Sequence, residues 1–178
     1  MNIRRRFQPG MRIRKFHNGG KGPGHPHINE ERLKKGITAV ESAGGTLLWN
    51  PSSTATGLYG QLYSEIENEP YIEGVSRELF RDSIPLQHEV WEKRMSGDIS
   101  GVPGLRKNAY DLTDEYKGQL GDKWDYSLDE VAAISNYLGR QGARNYFASI
   151  RDNTEYKLPG TNKTVEQYIK EYREASND

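Results

Sequence analysis

The feature that most limits how this chain can fold is a stretch almost without charge. From Gly36 to Ser64 it reads GITAVESAGGTLLWNPSSTATGLYGQLYS, with one ionisable carboxylate, Glu41, and no Lys, Arg, Asp or His. The chain as a whole is 28% charged, so such a stretch belongs against a core or on the floor of a groove. Just upstream, Asn29 reads as an N-cap, Glu30 and Glu31 suit the first turn, and Leu33, Ile37 and Val40 follow at i, i+4 and i+7. The pattern predicts a helix that starts at Asn29 and stops at Gly44-Gly45. Glu41 then lies one turn beyond Ile37 and two beyond Leu33, on the apolar face. Burial there, and the negative end of the helix dipole, both disfavour its ionised form and raise its pKa. A carboxyl still protonated near neutral pH can serve as a general acid for glycosidic cleavage. A glutamate that merely hydrogen-bonds across a core is the alternative.

The remaining pattern is helical. The segments YIEGVSRELFRDS, PLQHEVWEKRM, SLDEVAAISNYLG, ARNYFASIR and TVEQYIKEYREA read as helices, with capping boxes at Ser127/Glu130 and Thr164/Gln167. TLLWNPSSTATG reads as a long loop, and the Gly-rich segment 97–125 gives no clear element. At 178 residues and 34% hydrophobic content, with eleven Tyr among few aliphatic residues, the expectation is one mainly α domain over 29–178 with a polar groove. Residues 1–28 form a basic Gly/Pro-rich arm. Residues 1–35 carry ten Lys/Arg and two Glu, a net of +8, against −8 for the rest. An arm of that charge suits an anionic surface: nucleic acid, membrane or an acidic protein face. The chain lacks cysteine, has no apolar run long enough to insert in a membrane, and lacks the apolar segment of a signal peptide after its basic start.

The segment VESAGG…WNPSSTATGLYGQLY resembles the catalytic signature of the lytic transglycosylases in the lysozyme-like superfamily, of the soluble lytic transglycosylase type. That signature is a Glu-Ser pair ending a helix, a short loop with Asn and Ser, then Gly-Leu-x-Gln. AAISNYLGRQGARNYF resembles the family's later helix, where Leu-Gly-x-x-Gly-Ala is typical of phage members. The resemblance spans residues 29–150 and implies an α+β lysozyme-like fold. It implies that Glu41 is the catalytic acid and then base, Ser42 its partner in the Glu-Ser pair, Ser53 a loop residue near the cleaved sugar, and Gln61 a glycan ligand. Asn136 and Tyr137 stand where the family carries a Tyr-Asn pair. Two departures accompany this: Gly57-Leu58-Tyr59-Gly60-Gln61 has one residue more than the usual spacing, and the Asn136-Tyr137 order is reversed. Trp49, Tyr59 and Tyr63 are candidates to stack on sugar rings, with core packing the alternative for each.

Inverting or retaining hydrolysis needs a second carboxylate, and none follows Glu41 until Glu65. The resemblance therefore implies a single-acid lyase that cleaves peptidoglycan and leaves 1,6-anhydromuramoyl ends, without a cofactor. Hydrolysis through a distant Asp98 or Asp122, as in a lysozyme or endolysin, is an alternative, and so is an inactive structural virion protein of the same fold. His17, His25 and His27 match no metal-ligand spacing, and His88 shares helical spacing with Trp91. The arm, Met1 to Ile28, is expected to anchor the enzyme to a tail or capsid protein of a tailed phage, ahead of nucleic acid as a partner. The enzyme would then reach the wall from outside, in the particle.

Overall fold

The computed structural model describes residues 27–49, 55–158 and 163–177. The expected arm lies outside them, apart from His27 and Ile28, and so does Ser53. The elements are α1 (Glu30–Ser42), β1 (Ala55–Thr56), β2 (Gln61–Leu62), α2 (Arg77–Asp82), α3 (Ile84–Ser96), α4 (Leu105–Leu120), α5 (Leu128–Asp152) and α6 (Val165–Asn177), with three single-turn 3-10 segments between them. The mainly α expectation holds.

Helix α1 forms where its caps and apolar spacing place it. The Asn29 side chain accepts from the Arg32 N–H at 3.0 Å, and Leu33 and Ile37 are fully buried. Its C-terminus turns on Ala43, in the left-handed region at φ 48, and the two glycines continue the reversal. The helix packs on α6 and α5. A Cβ on Gly36 would stand 2.4 Å from Tyr172 Cε2, so the absent side chain is what lets α6 approach this closely.

Both capping boxes form, at Ser127/Glu130 and Thr164/Gln167. The two helices expected across SLDEVAAISNYLG and ARNYFASIR are the two halves of α5, which meet at a break on Gly139 (φ 68, ψ 169). The single helix expected over 71–83 is instead a 3-10 turn at Pro70–Ile72 followed by α2, which is capped by Ser76. The segment with no clear element contains α4. Its buried face, Leu105, Ala109, Leu112, Tyr116 and Leu120, has helical spacing that the glycines around and within it obscured.

Most of the buried side chains join one core from α1, α3, α4, α5 and α6; Ile66, Ile72, Phe80, Val90 and Ile99 form a smaller second one. The expected long loop contains a small antiparallel hairpin, with Ala55 opposite Leu62 and Thr56 opposite Gln61, and a backbone bridge from Trp49 to Thr56. This hairpin lies against α2. Among the described residues no helix is long and apolar enough to cross a membrane.

Candidate active site

Glu41 is partly buried near the end of α1. Its Oε1 accepts a hydrogen bond from the Tyr168 hydroxyl at 3.0 Å. Burial raises the carboxyl from the usual 4.5 to about 7, against the opposing pull of that hydrogen bond and of the Lys163 charge. Tyr168 comes from α6 and is 1% exposed. Its ring stacks on Tyr137 with centroids 4.2 Å apart and planes 9° from parallel, and the neighbouring Asn136 amide, which donates to the Tyr59 carbonyl at 3.5 Å, works against the burial that raises the Tyr168 pKa. The Tyr137 hydroxyl donates to the Lys163 carbonyl at 2.7 Å. The donor to Glu41 is thus held by the first half of α5.

The other carboxyl oxygen lies against the hairpin turn. Gly60 has φ 59, and a Cβ there would stand 2.7 Å from Glu41 Oε2. Only glycine gives both that backbone and that approach. The turn is fastened by Gln87 of α3, which is 2% exposed. Its Oε1 accepts from the Leu58 N–H at 2.7 Å, and its Nε2 donates to the carbonyls of Phe80 at 3.1 Å and Arg81 at 2.6 Å.

Glu41 opens on a pocket of about 230 Å³ lined also by Leu47, Leu48, Trp49, Thr56 and Gly60. Apart from Glu41, the residues lining it are neutral, and neither Asp98 nor Asp122 is among them. A larger cavity of about 460 Å³ lies between the second half of α5 and the segment before α6, lined by Tyr146, Tyr156, Lys163 and Glu166 among others. Size alone would favour that cavity, but it lacks Glu41, whose raised pKa marks the smaller pocket as the one suited to proton transfer. Among the described residues no cluster of His, Asp or Glu could hold a metal.

The structure brings Glu41, Asn136 and Tyr137 together around Tyr168. It places the other expected residues differently. Ser42 is fully buried; its Oγ donates to the Thr38 carbonyl at 2.8 Å and accepts from the Gly45 N–H at 3.0 Å, which shapes the turn behind Glu41. Tyr59 is 5% exposed, stacks on Trp91 and pairs with His88 Nδ1 at 2.7 Å, so it packs in the core and presents no platform to a sugar. Gln61 donates to the Leu62 carbonyl and to Glu65 Oε2 at 3.0 Å, and Gly60, its neighbour, occupies the position beside the acid. Tyr168, Gly60 and Gln87 escaped the sequence reading. Only Tyr168 left a signal, the apolar stripe it shares with Val165, Ile169 and Tyr172 on α6.

No protein family, curated protein or solved structure matches the chain. The chemistry must be read from the site itself.

Proposed function

We propose that the chain is a peptidoglycan lytic transglycosylase with a lysozyme-like catalytic domain over 29–178. One observation carries the reading: a single carboxyl, held near neutral pKa by burial, stands at a pocket of neutral residues. Tyr168 donates to Oε1, so the acid proton belongs on Oε2, beside Gly60. Glu41 gives that proton to the glycosidic oxygen as its bond to the muramic C1 breaks. The carbonyl oxygen of the ring's own N-acetyl group bonds to C1 in its place. Glu41, now ionised and steadied by Tyr168, takes the proton of the C6 hydroxyl while O6 displaces the acetamido oxygen from C1. The ring closes as a 1,6-anhydro sugar, Glu41 is protonated again, and no water is consumed. The bound C6 hydroxyl does by proximity what hydrolysis assigns to water and a second carboxylate.

The basic arm and the phage-like pattern around Leu138-Gly139 support carriage in a tailed-phage particle, with the arm bound to a tail or capsid protein. An inactive structural virion protein is the second reading, favoured by the spacing before Gln61 and by the engagement of its amide with Glu65. Purified protein on cell walls separates them. Wild type should clear the suspension and release products one water lighter than reducing-end sugars, and Glu41→Gln should do neither. Clearing by Glu41→Gln would remove the enzymatic assignment, and reducing ends from the wild type would make it a hydrolase.

A further inference from the structure

Of the three candidate platforms Trp49, Tyr59 and Tyr63, it is Trp49 that the packing leaves for a ligand. Tyr59 is consumed by the core, and Tyr63 donates its hydroxyl to the Val75 carbonyl with its ring tilted against Phe80. Trp49 is 37% exposed and lines the same pocket as Glu41. Its backbone is fixed by the bridge to Thr56. Its indole is fixed by α2: the Arg77 guanidinium lies 3.9 Å from the ring centroid and that of Arg81, one turn on, 5.6 Å. Arg77 is itself tied to β1 through Nε to Thr56 Oγ1 at 2.7 Å and Nη2 to the Ala55 carbonyl at 3.0 Å. A ring backed in this way has little motion left to lose when something stacks on it.

We propose that Trp49 is a stacking platform for a pyranose ring of an N-acetylated amino sugar, adjacent to the bond that Glu41 protonates; this rests on the transglycosylase reading. The chemistry around the indole selects that occupant. Arg77 and Arg81 repel a cation. Leu47, Leu48 and the indole offer apolar surface to the C–H face of a sugar, and the backbone of the glycine turn at Gly57 and Gly60 offers neutral polar groups to its rim. A neutral pyranose has both an apolar face and a polar rim.

The test uses the full chain with Glu41→Gln, which prevents turnover, and chitopentaose as the probe. Trp91 is 2% exposed and Trp124 is packed against the core, so Trp49 should dominate any ligand-induced change in indole emission. Chitopentaose should change that emission, and Trp49→Phe should abolish the change while calorimetry still detects binding. Trp49→Ala should weaken binding about tenfold, and with Glu41 intact should lower kcat/KM on cell walls about tenfold through KM, without moving the pH profile. If Trp49→Ala binds and cuts like wild type while Glu41→Gln is inert, the platform is refuted and the transglycosylase reading stands. An emission change that persists in Trp49→Phe also refutes it. If the wild type neither binds chitopentaose nor cuts walls, both fall. Should Trp49→Ala misfold by circular dichroism, the Trp49→Phe emission decides.

Discussion

Glu41→Gln should stabilise this protein, by an amount that depends on pH. In the unfolded chain Glu41 titrates near 4.5, and in the fold near 7. Below the lower value both states hold the proton, and Gln and protonated Glu are near equivalents with the same acceptor for Tyr168. As pH rises between the two values the unfolded state loses its proton first, so the wild type loses stability relative to the variant. Above about 7 the difference is complete and flat. At 1.36 kcal/mol per pH unit, the full difference is about 3 kcal/mol, a large part of a typical domain's stability. Urea unfolding of both proteins, in steps from about pH 5 to about pH 8 at constant ionic strength, measures it. A difference that does not change with pH, or a variant less stable than wild type at the alkaline end, would refute the claim that Glu41 is held protonated by burial. Because the assay reads only folding, it tests the electrostatics separately from catalysis.

Two further perturbations probe the same carboxyl. Tyr168→Phe removes a hydrogen bond that favours the ionised form, so the alkaline limb of cell-wall cleavage should move to higher pH and the maximal rate should fall about tenfold; an unmoved limb would mean that Tyr168 does not act on Glu41. Gly60→Ala places a Cβ on a φ of 59 and against Oε2, so it should cost about 1–2 kcal/mol in thermal unfolding and most of the activity; an unchanged melting temperature would contradict the close approach.

Local chemistry made α1 legible. Asn29, the acidic first turn, Leu33, Ile37 and the glycine stop all act within a few residues, and they place Glu41 on the correct face. The same holds for α6 and its capping box. Helix α4 was hidden because Gly101, Gly104, Gly118 and Gly121 break local propensity while long-range burial of Leu105, Leu112 and Tyr116 outweighs it. Tyr59 has the residue type for either a sugar platform or core packing, and it is the turn that decides, by aiming it at Trp91 and His88. The fastening of that turn by Gln87 could not be read, since a glutamine's partners depend on which backbone groups the fold leaves bare beside it.

The acid and its tyrosine donor are 127 positions apart, on helices whose close approach uses the missing side chain of Gly36. A ribosome makes α1 early and reaches α6 long afterwards, so a nascent chain holds the glutamate well before anything is present to orient it. Closing so long a separation also carries a loop-closure entropy cost. The carboxyl gains its tyrosine donor only when α6 docks, and a chain cut short before Val165 would keep the acid and lack that donor.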